Sequence, residues 1–220
     1  MDQTVEQSPI TFEFPIDPKT KEQYNRIRNG TMSEVEFFRL VHRDGLIEDF
    51  LSIDGFEKIL SAYLEQGISG TLISVDLDYF KTFNDSEGHP TGDDLLRLAG
   101  KILHQHTRTT EPEDEMKEKR KSRREEYDLL ARGGDEFLIF MVGAEMDNAI
   151  PAAKRIRTAI EVETKENFQN YPHRQTMSLG LTAVKSDDTV RSIRQRADQA
   201  LYKAKEGRGS ENIGDSIALL

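Results

Sequence analysis

The stretch Arg132-Gly133-Gly134-Asp135-Glu136-Phe137-Leu138-Ile139-Phe140 decides how this chain is read. Two glycines stand directly before two adjacent carboxylates, and the carboxylates open a strongly apolar run. Paired glycines between extended segments mark a tight hairpin, because glycine accepts the positive φ that such turns require. Asp and Glu are poor strand formers, so a pair of them at the mouth of a buried strand calls for a compensating partner. A divalent cation is such a partner, since hard cations take carboxylate oxygens held on a stiff support.

A second acidic pair lies upstream. In Gly70-Thr71-Leu72-Ile73-Ser74-Val75-Asp76-Leu77-Asp78-Tyr79-Phe80-Lys81 an apolar strand again ends in carboxylates. Side chains at i and i+2 of a strand share a face, so Asp76 and Asp78 share a site if the strand persists through both. Ordinary solvation of a strand end accounts for either pair alone. Two strands that deliver acids to one end of a sheet, with a lysine close by, point instead to metal-assisted chemistry on a phosphate.

Working outward, residues 1–30 hold three of the seven prolines (Pro9, Pro15, Pro18) and little periodicity, as an irregular arm does. Val35, Phe38, Leu40, Val41, Leu46, Ile47 and Phe50 predict helical material over residues 33–51. A further helix covers 53–64, with Phe56, Ile59, Leu60 and Tyr63 on one face, and a strand follows at 72–77. Asp93 or Asp94 starts a helix that carries Leu95, Leu96, Ala99, Ile102 and Leu103. Residues 111–124 mix both signs of charge, which predicts a solvated loop or exposed helix extension. Leu129-Leu130-Ala131 pairs across the glycine turn with 137–142. Asp147 caps a helix with Pro151 in its first turn, where no helical N–H is lost. Residues 176–184 read as a strand with Gly180 inside it. Asp187 or Asp188 caps a last helix with Val190, Ile193, Ala197, Leu201 and Ala204 inward and Gly207 near its end. This order describes an α/β (α+β) fold, with helices over a mainly antiparallel sheet.

Composition narrows the function. A net charge of -10 argues against nonspecific nucleic-acid binding, which needs basic neutralisation of phosphates. The absence of cysteine excludes disulfides and thiolate metal sites. His104 and His106 diverge on their helix, while His42 and His173 read as surface residues, so no zinc site is expected. No run approaches eighteen apolar residues, and the N-terminus has no basic region followed by an apolar one. The expectation is a soluble, cytoplasmic protein without a membrane span.

Three segments together resemble the GGDEF family of diguanylate cyclases. They are Asp76-Leu77-Asp78-Tyr79-Phe80-Lys81-Thr82-Phe83-Asn84-Asp85 with Gly88-His89-Pro90-Thr91-Gly92-Asp93, the hairpin Gly133-Gly134-Asp135-Glu136-Phe137, and Ala200-Leu201-Tyr202-Lys203-Ala204-Lys205. The likeness spans residues 56–212 and implies a palm-like sheet, similar to class III nucleotide cyclases and polymerase palms. On this likeness residues 46–215 form the catalytic domain, with a charged insertion near 107–127, and residues 1–45 form an arm of irregular chain plus helix.

The implied activity condenses two GTP into cyclic di-GMP and pyrophosphate, by attack of a ribose 3′-oxygen on an α-phosphate. Asp76, Asp135 and the backbone carbonyl of Leu77 would hold Mg²⁺, with Mn²⁺ as a substitute, and Glu136 is either a further ligand or a base for the 3′-hydroxyl. Asn84 and Asp93 match guanine-contacting positions: a carboxylate accepts from N1–H and N2–H, and an amide answers the remaining edge. Lys81 and Lys205 match phosphate-contacting positions, as point charges on flexible stems. Arg208 joins them three residues after Lys205, where the family spaces its arginine by four. His89 packs near the nucleotide. Since each protomer binds one GTP, turnover requires a homodimer. The alternatives are a catalytically silent module that binds GTP or a protein partner through residues 1–45, and a nucleotidyl cyclase of other base choice, against which Asp93 speaks.

The chain departs from the family pattern in three places. Arg132 abuts Gly133 where an aromatic residue usually intervenes, which leaves the hairpin register open to a one-residue shift. If Asp128 is the aspartate of the family's Arg-x-x-Asp product-inhibition motif, Glu125 stands where arginine belongs, so no typical inhibition site is expected. Of the family's entry motif only Asp44-Gly45-Leu46 and Gly55-Phe56 remain.

Overall fold

The computed structural model describes Arg39 and residues 42–108, 127–173, 175–206 and 217–220. The chain divides into two compact units, Met1–Val41 and His42–Leu220, and every element below belongs to the second. In chain order these are β1 (Leu51–Ser52), α1 (Ile53–Glu65), β2 (Gly70–Leu77), α2 (Phe80–Glu87), α3 (His89–Gln105), β3 (Leu129–Gly133), β4 (Glu136–Val142), α4 (Met146–Asn167), β5 (Met177–Ala183), α5 (Val190–Glu206) and β6 (Ile217–Leu219). The six strands form one sheet in the order β1-β3-β4-β2-β5-β6. The three inner pairings are antiparallel and the two edge pairings parallel, so the mainly antiparallel sheet flanked by helices is present.

Strand β2 is buried along its whole length because helices cover both faces of the sheet. Its odd-numbered residues Ile73, Val75 and Leu77 join Phe137, Ile139, Leu179 and Leu181 in the main core under α3 and α4. Fully burying each such side chain contributes about 1.5–3 kcal/mol. Its even-numbered residues face the other way, towards α1 and α5. There Tyr63 of α1 packs on Phe140 of β4, and Ser52 caps α1 by accepting from the Gly55 N–H at 3.2 Å.

Several local expectations are corrected. Residues 42–50 are not helical: the Asp44 carboxylate accepts from the N–H groups of Leu46 and Ile47, and His42–Asp44 runs against Phe50–Ser52 as a short extended pair. Val35, Phe38, Leu40 and Val41 lie outside the described residues. The helix expected from Asp93 or Asp94 starts earlier, at His89, because Gly88 at φ 86° turns the chain sharply after α2. Pro151 lies in the second turn of α4, not the first, and Glu145 rather than Asp147 occupies the cap position. Thr189 takes the capping place at α5 through a reciprocal pair of bonds with Ser192. Asp188 is occupied elsewhere: Arg196 binds it through both carboxylate oxygens and holds its pKa down at about 2.

The charged insertion falls within residues 109–126, outside the described residues, but its base is visible. The Asp128 N–H donates to the Arg108 carbonyl, and the buried Asp128 carboxylate accepts from the Arg108 N–H at 2.9 Å, from Arg108 Nη2 at 2.7 Å and from the Val142 N–H at 3.0 Å. The two ends of the insertion are therefore clasped together against β4.

Gly180 sets how closely α5 lies on the sheet. A Cβ there would sit 2.0 Å from the Leu201 nitrogen and 2.5 Å from the Ala197 carbonyl oxygen, so backbone meets backbone where only a hydrogen fits. Gly180→Ala forces the helix outward and is expected to destabilise the protein by about 1–3 kcal/mol. Chemical denaturation of the two proteins checks this: an unchanged midpoint refutes the close-approach account.

Candidate active site

The acidic residues meet where β2 and β4 end. Register pairs Gly133 with Glu136, which leaves Gly134 and Asp135 as a two-residue turn. Gly134 has φ 71° while Asp135 stays negative, as in turns with glycine at the first central position. The missing aromatic is absorbed on β3, where Arg132 takes the place opposite Phe137. Arg132 donates to Asp44 through two nitrogens at 3.0 and 2.9 Å and to the Gly134 carbonyl at 2.6 Å. Sequence reasoning did not assign this tie between the entry segment and the turn, although Asp44 had stood out as a trace of the entry motif.

Asp76 lies directly across β2–β4 from Glu136 and across β2–β5 from Ser178. Directly opposed residues in an antiparallel pair project to the same face, so Asp76 and Glu136 share the α5 side of the sheet. Lys205 on α5 reaches Asp76 with Nζ to Oδ2 at 2.7 Å. Two turns earlier on the same helix, Asp198 accepts from Ser74 at 2.9 Å, so α5 is tethered along the polar face of β2. Burial pushes the Asp76 carboxyl above its ordinary range, the Lys205 ammonium pulls it back, and the nearby charges of Asp135 and Asp78 add to the rise.

Asp78 does not share that site as the strand pattern allowed. Strand β2 stops at Leu77, and the buried Asp78 carboxylate accepts from the hydroxyls of Thr176 at 2.5 Å and Ser178 at 2.7 Å. Its carbonyl accepts from Gln175 Nε2 at 2.6 Å. The next residue, Tyr79, has φ 57°, the only positive value outside glycine among the described residues. Leu77 pairs with Met177 on β5 but lies beyond the last β4 pairing, and its side chain enters the core.

Asn84 on α2 lies over Gly92 on α3, where a Cβ would overlap its Oδ1 at 1.6 Å. That oxygen is buried and has no hydrogen-bond donor among the described residues. Asp93, adjacent to Gly92, is exposed. Lys81 and His89 stand exposed near the N-terminal ends of α2 and α3, and no hydrogen bond or ion pair among the described residues joins them to the carboxylates. Arg208 lies outside the described residues.

Two groupings result: Asp76, Glu136 and Lys205 with Asp135 close enough to act electrostatically, and Asn84 with Gly92 and Asp93. Among the described residues no three His, Asp or Glu side chains converge at metal-ligand spacing. The donor set still fits Mg²⁺, which is commonly held by one or two carboxylates together with substrate phosphates. The buried Asp76 carboxylate, with a cation already drawn to it, is the observation behind that fit.

The family profile described as diguanylate cyclase, GGDEF domain, matches residues 53–114 and 115–211. The chain belongs to the GGDEF family. The probable diguanylate cyclase DgcT of Escherichia coli K12 is 30% identical over 183 residues, covering 81% of this chain and 37% of DgcT. Diguanylate cyclase A of Treponema denticola is 30% identical over 138 residues, covering 62% of this chain and 32% of that protein. The chain thus spans about a third of the length of these curated relatives. Among solved structures, the GGDEF domain of DgcB from Caulobacter crescentus in complex with c-di-GMP superposes with TM-score 0.61 at 24% identity, covering 81% of this chain and 95% of that one. A sensory box/GGDEF family protein from Caulobacter crescentus CB15 gives TM-score 0.58 at 28% identity, covering 76% and 99%. No helix among the described residues of this GGDEF domain is long and apolar enough to cross a membrane.

The raised Asp76 carboxyl has a consequence for stability. Because its folded-state pKa lies above its unfolded value, it contributes stability that is full at low pH and is lost as pH rises through the folded pKa. At neutral pH and without divalent cations, Asp76→Asn is therefore expected to melt above the unsubstituted protein. Thermal melts in chelator check this, and a lower melting temperature for Asp76→Asn refutes it.

Proposed function

We propose that this GGDEF domain is a diguanylate cyclase, condensing two GTP into cyclic di-GMP with release of pyrophosphate between two facing copies of the chain. The observation that carries this reading is Asp76 and Glu136 on one face at the sheet end, with Lys205 on Asp76. The undonated Asn84 oxygen beside Gly92 supports it, as an amide group awaiting a base edge.

Asp76 and Asp135 would hold Mg²⁺, joined by the Leu77 carbonyl beyond the last β4 pairing. When bound, the ion supplies charge neutralisation at the phosphates and a lowered pKa for the attacking hydroxyl. Glu136 serves as a further ligand or as the base that takes the 3′-hydroxyl proton. Lys205, the counter-ion of Asp76 in the structure, moves to the β- and γ-phosphates once Asp76 is otherwise engaged. Lys81 and Arg208 complete the phosphate contacts, Asn84 and Asp93 orient the guanine, and His89 packs beside it. Because each copy presents one substrate, turnover needs a homodimer. Residues 1–45 are proposed as the arm through which a protein partner acts, with residues 46–215 as the catalytic domain. A GTP-consuming domain of this kind works in the cytoplasm.

Purified protein with GTP and Mg²⁺ is expected to yield cyclic di-GMP at a specific activity that rises with protein concentration. Asp135→Ala should reduce product by about 100-fold or more without loss of the folded circular-dichroism spectrum. If the unsubstituted protein binds GTP and yields nothing at any concentration, the chain is a silent binding module instead.

Asp128, at the place of the product-site aspartate, is already engaged by Arg108 and Val142, and Glu125 is not arginine. Initial rates are therefore expected to be insensitive to added cyclic di-GMP. Noncompetitive inhibition by product, measured at saturating GTP, refutes this proposal.

A further inference from the structure

A cavity of about 360 Å³ opens between the C-terminal turns of α4 and the connection leading to β5, apart from the carboxylates described above. Its size falls within the roughly 300–1,000 Å³ of small-molecule sites. One wall is aromatic: Phe168 and Tyr171 meet Phe83 edge-on at 5.4 and 4.6 Å, and His173 meets Tyr171 at 5.5 Å. Thr164 and Gln175 line it as buried polar side chains, 3% and 2% exposed.

Its rim carries both signs of charge, Lys165 and Glu161, and the Glu87 carboxylate lies near enough to Tyr171 to act on it electrostatically. Glu161 stands 3.7 Å from the buried Arg157 guanidinium, which offsets its charge. Lys165, on the same rim, has no carboxylate partner among the described residues, and His173 lies exposed beside Tyr171. A flat ring against Phe168 and Tyr171, with an anionic head on Lys165, satisfies both features.

The cavity is linked to the nucleotide side at two points. Gln175, in its wall, donates to the Asp78 carbonyl two residues beyond Asp76 and just before the left-handed Tyr79. Phe83, against which the aromatic wall rests, immediately precedes Asn84.

We propose that this cavity binds a small aromatic carboxylate and that its occupancy strengthens nucleotide binding. The cavity exists in the state in which Gln175 holds Asp78, so an occupant favours that state over any in which the end of β2 is released. The binding step stands by itself; the coupling step rests on the cyclase reading.

The test titrates 3-phenylpropionate into the full chain by calorimetry without nucleotide, with 3-phenylpropanol as the uncharged control. Saturable one-to-one binding is expected, with the alcohol about tenfold weaker. Lys165→Ala should bind the carboxylate no better than the alcohol, and Lys165→Arg should restore the preference. At saturating 3-phenylpropionate the affinity for GTP with Mg²⁺ should rise at least about threefold, and Gln175→Met, which cannot donate to Asp78, should abolish that rise. No saturable binding up to about 10 mM, or binding indifferent to Lys165→Ala, overturns the site. Binding that leaves GTP affinity unchanged overturns the coupling, whether or not cyclic di-GMP is formed.

Discussion

A carboxylate folded into the end of a sheet is the constraint around which this molecule is arranged. Asp76 is largely removed from water, with Asp135 and Asp78 close enough to repel it and the Lys205 ammonium at 2.7 Å to hold it. An isolated buried carboxylate is strongly disfavoured, so the partner is required wherever the acid remains charged. The site is consequently an electrostatic well for cations, filled by a side chain that is itself suited to phosphate.

That arrangement depends on backbone contact far from the charges. Lys205 reaches Asp76 because α5 lies almost on β5, and α5 can do so because position 180 has no side chain. The alanines of α5 at 197, 200 and 204 serve the same end, since small residues let helix and sheet approach. The helix is secured at its start by the Arg196–Asp188 pair and at its middle by the Ser74–Asp198 bond. Asp78, two residues from Asp76, is a buried acid that takes the hydroxyls of Thr176 and Ser178.

Much of this was legible from residue order. The glycine-acid hairpin, the acid-ended strand and the helices of 53–64 and 190–206 follow from local periodicity and turn chemistry, which act over a few residues. The start of α3 was misplaced because Asp93 resembles a cap, whereas the positive φ of Gly88 already ends the preceding helix. Helix α2 and strands β1 and β6 were missed because short elements carry too few positions to show a period. The opposition of Arg132 to Phe137 and its bonds to Asp44 could not be read, since register and long-range ion pairs are properties of the assembled sheet.

The sequence alone settled which side chains were available: paired acids after apolar strands, glycines where a turn needs them, an amide and an acid near a second glycine, and no thiols. Those are matters of residue type and spacing, and they identify a chemistry. Tertiary structure alone decided that Asp76 rather than Asp78 faces Glu136 and Lys205, that Asn84 keeps an undonated oxygen, and that Asp128 is closed off by Arg108. Each of these outcomes turns on whether a strand ends one residue sooner or later and on which helix packs across it. Such distances are set by the whole core, and no local pattern encodes them.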